Sequence, residues 1–187
     1  MAEPTWQEAV AEVWQLFKET DAKFKETDAK FKETDKKINQ LSGLFSSQWG
    51  KLLEALVQPA ALRLFQERGI QVHYVYQRVK SQLDGETLEL DLLLENSTEV
   101  VVLEIKSTLK VSDVTDFLAD VNQFLHFFPR YRSYRVYAGV AGLSIEEEAD
   151  RYAYRQGLFV LGLTGEGVVQ IKNGLDFRPR NFATGEG

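Results

Sequence analysis

The stretch VVVLEIKST, Val100–Thr108, combines the composition of a buried strand with two charged residues. Val and Leu favour the interior of a sheet, whereas the charges of Glu104 and Lys106 are costly to bury without a partner. Residues two apart in a strand share a face, so Glu104 and Lys106 lie together while Leu103 and Ile105 point the other way. The stretch predicts either a solvated ion pair at a strand end or a functional pair beside a core.

The sequence on either side predicts an α/β sandwich, a mixed sheet with helices on its faces. The pattern changes from a helical period to an alternating one after Gly69, and Asp84-Gly85 is a hairpin signal. Leu88, Leu90, Leu92 and Leu94 alternate and are expected on one face. The predicted elements are a helix over 49–69 kinked or split at Pro59, strands over 70–79, 86–95 and 98–107, a helix over 111–129 capped by Ser112, a strand over 134–142, a helix over 144–157 and a final strand or hairpin.

The turn at Asn96-Ser97 predicts which residues face one another across the second and third strands. A two-residue loop at Asn96-Ser97 or at Ser97-Thr98 places Asp91 opposite Val102 or Glu104, on the face that carries Glu104 and Lys106, whereas a three-residue loop without a bulge would reverse its face. Two carboxylates, together with the backbone carbonyl of Ile105, form the hard-oxygen donor set that Mg²⁺ or Mn²⁺ prefers. Lys106 would orient an attacking water or offset charge in the transition state. Zinc chemistry is not expected, because there is no cysteine and the two histidines are far apart.

Asp91 followed after twelve residues by Glu104-Ile105-Lys106 resembles the metal motif of the PD-(D/E)xK nuclease superfamily. The predicted α-β-β-β-α-β order around it resembles the core of that family, which has the restriction-endonuclease-like fold. The resemblance covers roughly 49–163 and departs from the family motif at Leu90, where a proline is usual. It implies a Mg²⁺-dependent nuclease that hydrolyses phosphodiester bonds, of DNA more than RNA, with Asp91, Glu104 and Lys106 as catalytic residues.

The resemblance also implies supporting residues around this motif. Glu54, on the first core helix, matches the position of a further acid, and Gln123 matches the Gln of a Gln-x-x-x-Tyr element whose Tyr is replaced by Phe127. The segment FFPRYRSYR, 127–135, mixes basic and aromatic residues, a combination suited to nucleic-acid backbones and bases. Its candidate nucleic-acid-binding residues are Arg130, Arg132 and Arg135.

Plainer interpretations exist for the same residues. Glu104 and Lys106 would form a surface salt bridge of little energetic value, and Asp91 would be a polar residue on an open sheet face. In that case the nuclease-like fold would be inactive and the chain would act as an oligomeric interaction module.

The N-terminal segment repeats FKETDAK, FKETDAK and FKETDKK over 17–37. With Phe17 as position a, apolar residues continue at a and Thr20, Thr27 and Thr34 occupy position d, so the period predicts a left-handed coiled coil that associates with other copies. A single solvated helix held by Glu to Lys pairs four residues apart is the alternative. The sequence therefore divides into an oligomerisation helix over 1–45, a nuclease-like domain over 46–177 and a flexible tail over 178–187.

Composition limits the remaining possibilities. The 187 residues are 44% hydrophobic and 27% charged, as in globular proteins. The net charge of −6 argues against bulk coating of nucleic acid, although a local basic groove is compatible with it. No signal peptide and no membrane span are expected, so we expect a cytoplasmic protein without a membrane partner.

Overall fold

The computed structural model describes the backbone of residues 6–164 and 168–184. Side chains are described for 15–16, 18–20, 23–38, 55–164 and 168–184. The chain divides into two compact units, Met1–Ser47 and Gln48–Gly187. None of the described helices is long and apolar enough to cross a membrane.

Helix α1 runs over Trp6–Glu67. It continues through Pro59, so the helix is not split there, which was one of the two expectations: the proline ring removes one backbone hydrogen bond without ending the helix. Arg68 donates its N–H to the carbonyl of Leu64, and Gly69 follows in the left-handed region with a φ of 85°. A glycine tolerates this φ at little cost, which explains why the helix ends at this position.

Within the described residues, six strands and two further α-helices follow α1. Strand β1 leads into β2 through Asp84 and Gly85, both with positive φ, as the hairpin signal predicts. A 3₁₀ turn, Pro129–Tyr131, connects α2 to β4. The elements are β1 Tyr74–Leu83, β2 Glu86–Glu95, β3 Glu99–Leu109, α2 Val111–Phe127, β4 Arg135–Ile145, α3 Glu147–Arg155, β5 Phe159–Leu163 and β6 Val169–Ile171.

The strands form one sheet in the order β1-β2-β3-β4-β5-β6. The β1–β2, β2–β3 and β5–β6 pairs are antiparallel, whereas β3–β4 and β4–β5 are parallel. Helix α2 makes the crossover between β3 and β4, and α3 makes the one between β4 and β5. This α-β-β-β-α-β core with a mixed sheet and flanking helices confirms the predicted restriction-endonuclease-like fold class.

Each face of the sheet has its own core. On one face, residues of α1 such as Phe65 pack against Leu92, Leu103 and Ile105. On the other, α2 and α3 cover Val102 and the first half of β2. Central strands of this kind are buried on both sides, which explains the continuous apolar run Val100–Leu103.

Strands β1 and β2 exchange faces halfway along their length. Leu92 and Leu94 lie in the α1 core, but Leu88 and Leu90 lie in the α2–α3 core. The expectation that the four leucines share one face is therefore wrong. The exchange occurs at Asp91, between the pairs Gln77↔Leu92 and Val79↔Leu90. Opposite it on β1, Arg78 has a φ of 49°, a left-handed conformation that interrupts the regular alternation.

The C-terminal segment predicted as a flexible tail is attached to the domain as far as Thr184. The N–H of Phe182 donates to the carbonyl of Val136 at 2.8 Å, and Asn181 Oδ1 accepts the N–H of Val136 at 2.9 Å. Phe182 also packs against the α2–α3 core. These bonds satisfy the outer backbone groups at the start of β4, so 178–184 belong to the fold. Residues 185–187 lie outside the described part of the chain.

Candidate metal and nuclease site

The candidate site begins where the β2–β3 ladder ends. The last pair in register is Leu92↔Leu103, so Asp91 and Glu104 are the next residues on the two strands. Asp91 Oδ2 accepts the backbone N–H of Ile105 at 2.8 Å, in place of a backbone carbonyl of β2. This bond fixes the Asp91 carboxylate in the gap between the strands. A residue's N–H and C=O point to the same side of a strand, so the Ile105 carbonyl faces the same gap.

Glu104 occupies a strand position between two core residues, Leu103 and Ile105, and its side chain is only 16% exposed. Lys106, two residues on, donates a hydrogen bond to Glu104 Oε1 at 2.5 Å. Burial and the charge of Asp91 raise the pKa of Glu104 to about 7, although Lys106 opposes this rise. The site therefore holds two neighbouring carboxylates, Asp91 and Glu104, but only one ammonium, Lys106, so negative charge exceeds positive charge.

Lys106 stays protonated at neutral pH. Burial lowers its pKa, but the hydrogen bond to Glu104 and the charges of Glu104, Asp91 and Asp113 outweigh burial and leave the pKa above its ordinary value. An ammonium held in this way can donate hydrogen bonds and offset negative charge, and it cannot serve as a general base.

Three acidic residues of α2 form a stripe beside this site, and sequence reasoning missed them. Asp113, Asp116 and Asp120 follow one another at steps of three and four, which places them on one side of the helix. Burial and Asp116 raise the pKa of Asp120, whose charge in turn acts on Glu104. The spacing of the three acids after the motif was the signal that could have revealed them.

Asp113 also starts helix α2. Its Oδ2 accepts the N–H of Lys110 at 2.8 Å, and the helix begins at Val111. The expected cap at Ser112 is therefore wrong: Ser112 lies inside the helix, whose N-cap is Lys110, and Asp113 at the third helical position accepts the N–H of that residue.

The other candidate residues do not converge on this site. Arg130 pairs with Glu95 at 3.4 Å and contacts the Tyr131 ring, and Arg135 pairs with Glu99 at 2.6 Å. Glu99 precedes Glu104 by five residues, about 17 Å along an extended strand, so these pairs lie at the opposite end of β3. Both arginine side chains are mostly exposed, 63% for Arg130 and 59% for Arg135, so their contact with nucleic acid stays a prediction.

Gln123, Arg132 and Glu54 complete the list of candidates. Gln123 is exposed one turn beyond Asp120 on the same side of α2. Arg132 is exposed at the end of the 3₁₀ turn. Glu54 lies in helix α1, but its side chain is outside the described residues, so its supporting role stays a prediction.

The donor set suits a small divalent cation of the Mg²⁺ type. Asp91, Glu104 and the Ile105 carbonyl offer only oxygens, and the repulsion that raises the pKa of Glu104 is what a bound cation would relieve. Within the part of the chain that the structure describes, no group of three or more acidic, histidine or cysteine side chains is arranged as a metal cage. Water or substrate oxygens would have to supply the remaining ligands, as is usual for Mg²⁺.

No protein-family model and no curated protein sequence matches this chain. Among solved structures, it is similar to a repair endonuclease from Pyrococcus abyssi, with 18% identity over 56% of this chain and 44% of that one and a TM-score of 0.38. A Vibrio cholerae protein has 18% identity over 60% of this chain and 30% of its own, with a TM-score of 0.43. The small subunit of a heterodimeric restriction endonuclease has 18% identity over 56% of this chain and 59% of its own, with a TM-score of 0.32.

The aligned part of the chain spans less than two thirds of each of these three structures. All three TM-scores are below 0.5, so the similarities carry no conclusion about activity. The strand order, the parallel and antiparallel pairs and the crossover helices of the chain itself establish its restriction-endonuclease-like fold.

Proposed function

We propose that the chain is a Mg²⁺- or Mn²⁺-dependent nuclease that hydrolyses phosphodiester bonds of nucleic acid. The observation that carries this proposal is the convergence at the end of the β2–β3 ladder. Asp91 is anchored on the Ile105 N–H there, beside a Glu104 that is only 16% exposed and is bonded to Lys106. A surface salt bridge would need neither the anchored Asp91 nor a carboxylate so largely removed from water.

In this proposal Asp91, Glu104 and the Ile105 carbonyl hold the cation. When bound, the cation would lower the pKa of a water molecule and stabilise negative charge on the phosphate. Lys106, which stays protonated, orients the attacking water or donates a hydrogen bond to a phosphate oxygen. The α2 acids keep the surroundings negative, which favours loading of the cation before the polyanion binds.

The substrate is DNA more than RNA in this proposal, and the resemblance to the PD-(D/E)xK superfamily is what supports the preference. The net charge of −6 makes phosphate binding depend on local positive charge, including the cation and Lys106. We therefore expect cleavage to weaken as salt concentration rises, with a shallow dependence because few cationic groups contact phosphates.

Cleavage of supercoiled plasmid by the purified chain tests the reaction. We expect cleavage with Mg²⁺ or Mn²⁺ and none with a chelator. Lys106→Ala should reduce the rate by at least about a hundredfold, the scale of a lost electrostatic donor. Lys80→Ala is the matched control, because Lys80 is also a strand lysine paired with a glutamate, Glu89 at 2.9 Å.

Equal activity in the wild-type and Lys106→Ala proteins would attribute cleavage to a contaminant. Absence of cleavage of plasmid DNA and of structured RNA, with either metal, would reject the nuclease and leave an inactive fold.

Thermal unfolding with and without Mn²⁺ tests the metal site separately from catalysis. A cation at a hundred times its dissociation constant stabilises the fold by about 2.7 kcal/mol, so the melting temperature should rise. Asp91→Asn and Glu104→Gln should abolish this rise, whereas Glu89→Gln, an exposed strand carboxylate, should retain it. An equal rise in all four proteins would place the cation elsewhere.

A further inference from the structure

Helix α1 carries a row of large apolar side chains that nothing covers within the described part of the chain. Phe24 is 68% exposed, Phe31 64% and Ile38 57%, at a constant interval of seven residues. Isolated exposed apolar residues are normal on a protein surface, but three at the heptad interval form one continuous stripe. From these observations we propose that 15–38 pairs in parallel and in register with the same segment of a second copy of this chain.

The threonines between the apolar residues are compatible with such a seam. Each threonine hydroxyl donates to a carbonyl four residues earlier, Thr20 to Leu16, Thr27 to Lys23 and Thr34 to Lys30, all at 2.8 Å. The hydroxyls are thus satisfied within their own helix and bring no unpaired polar group to the interface. A polar residue at position d is ordinarily unfavourable because it buries an unpaired polar group, and this local bonding avoids that cost.

Charge complementarity identifies the second copy as the partner and fixes its direction. Lysines occupy position g at 23, 30 and 37, and aspartates occupy position e at 21, 28 and 35. In a parallel pair, Lys23 faces Asp28 of the second copy and Lys30 faces Asp35, whereas an antiparallel pair would oppose lysine to lysine and aspartate to aspartate. The parallel arrangement is therefore the favourable one.

The intrahelical ion pairs leave this pattern intact. Lys30 pairs with Glu26 at 2.7 Å and Lys37 with Glu33 at 2.6 Å, and all four side chains are about two-thirds exposed. Exposed lysines exchange partners at little cost, so they remain able to reach a second chain. The repeat FKETDAK has two lysines and two acids, so it carries no net charge that would attract nucleic acid instead.

Charge exchange tests the pairing in the full chain by analytical ultracentrifugation. The triple variant Lys23→Glu, Lys30→Glu, Lys37→Glu should dissociate roughly a hundredfold more readily than wild type, since attraction becomes repulsion at four inter-chain contacts. The variant Asp21→Lys, Asp28→Lys, Asp35→Lys should dissociate more readily to a similar extent. An equimolar mixture of the two should recover a two-chain mass.

Single cysteines test the direction, because the natural chain has no cysteine. In a parallel pair, Phe24→Cys should form a disulfide with its own kind, and so should Ile38→Cys. A mixture of the two variants should form no disulfide between a Phe24→Cys chain and an Ile38→Cys chain. An antiparallel pair centred on Phe31 would form that mixed disulfide instead.

Circular dichroism and thermal melting of each variant will separate lost pairing from lost folding. A wild-type mass of one chain at all concentrations would overturn the proposal, and so would a mass above two chains or a disulfide between the two different cysteine variants. None of these readouts depends on nuclease activity.

Discussion

At Glu104, the stability of the fold conflicts with the chemistry of the candidate site. The Glu104 side chain is only 16% exposed, so its carboxylate loses much of its hydration, and the charge of Asp91 adds repulsion. Lys106 compensates only part of this cost, as the raised pKa of Glu104 indicates. Such local cost is typical of sites whose charge is completed by a ligand.

This conflict predicts a pH dependence of stability. Glu104 has a pKa of about 7 in the folded chain against an ordinary 4.5, so the folded state binds its proton more tightly. The resulting stabilisation is complete below pH 4.5 and is lost as the pH rises through 7. Without divalent cations, the free energy of unfolding should fall by about 3 kcal/mol more in wild type than in Glu104→Gln between pH 4.5 and 8.

Urea denaturation at the two pH values measures this difference, with Glu89→Gln as the exposed control that should follow wild type. Adding Mg²⁺ at pH 8 should recover stability in wild type but not in Glu104→Gln. Parallel pH profiles for wild type and Glu104→Gln would show that Glu104 does not carry the buried charge.

Sequence alternation was enough to place Glu104 and Lys106 on one face, because the period of a strand is two. It could not predict how Asp91 binds. The Asp91 carboxylate accepts a backbone N–H within the gap, and that depends on where the ladder ends rather than on face. The spacing of the α2 acids was visible in the sequence, but the direction in which they face was not, since a helix that follows a motif has no fixed rotation until it packs.

At the scale of elements, strands β1 and β2 exchange faces at Asp91, the residue that β2 contributes to the candidate site. A regular β2 would have kept Leu90 and Leu92 on one side, and four alternating leucines gave no sign of a change. The irregularity is seen in the partner strand, where Arg78 has a positive φ. Arginine is not a residue type that indicates such a conformation, so the sequence did not predict it. Element order and most strand bounds followed from periodicity, whereas this irregularity arises from pairing.

Substitution of Arg78 tests whether its backbone conformation supports the exchange. Asn tolerates the left-handed region, whereas a β-branched residue is strained there. Arg78→Asn and Arg78→Val both remove the guanidinium group, so their difference isolates the backbone. We expect Arg78→Val to be less stable than Arg78→Asn by about 1 to 2 kcal/mol in urea denaturation.

The Mn²⁺-induced rise in melting temperature should also be smaller in Arg78→Val, because Asp91 lies across from this position. Equal stability of the two variants would mean that β1 relaxes to a regular strand without affecting the fold.

Helix starts were the least predictable bounds. Strand β4 extends to Ile145, paired with Leu109 of β3, so α3 begins at Glu147 instead of Ser144. Ser144 and Glu147 match a capping pattern, but parallel pairing with β3 satisfies the backbone at Ser144 first. The capping pattern thus correctly indicated that a helix follows, but the hydrogen bonds between β3 and β4 moved its start to Glu147.

At the scale of the whole molecule, the sequence assigns different tasks to the two units. The N-terminal unit has exposed apolar residues at a fixed interval and a nearly balanced charge, as a self-pairing helix requires. The second unit has two cores on one sheet and the candidate site at the end of a strand pair. A single nuclease site cuts one strand at a time, so cleavage of both strands of a duplex in one encounter needs two sites.

Parallel pairing of two chains predicts how the products of cleavage depend on the N-terminal segment. If the proposed nuclease is paired, two candidate sites reach one duplex together, so a supercoiled plasmid should pass to the linear form with little accumulation of the nicked form. The Lys23→Glu, Lys30→Glu, Lys37→Glu variant, as separate chains, should accumulate nicked plasmid first because its second cut needs a second encounter. Gel analysis at equal total cleavage measures the ratio of linear to nicked product. Mixing with the Asp21→Lys, Asp28→Lys, Asp35→Lys variant should restore the wild-type ratio.

An unchanged ratio in a variant that ultracentrifugation finds monomeric would mean that one chain makes both cuts, and pairing would then serve a purpose other than double-strand cleavage.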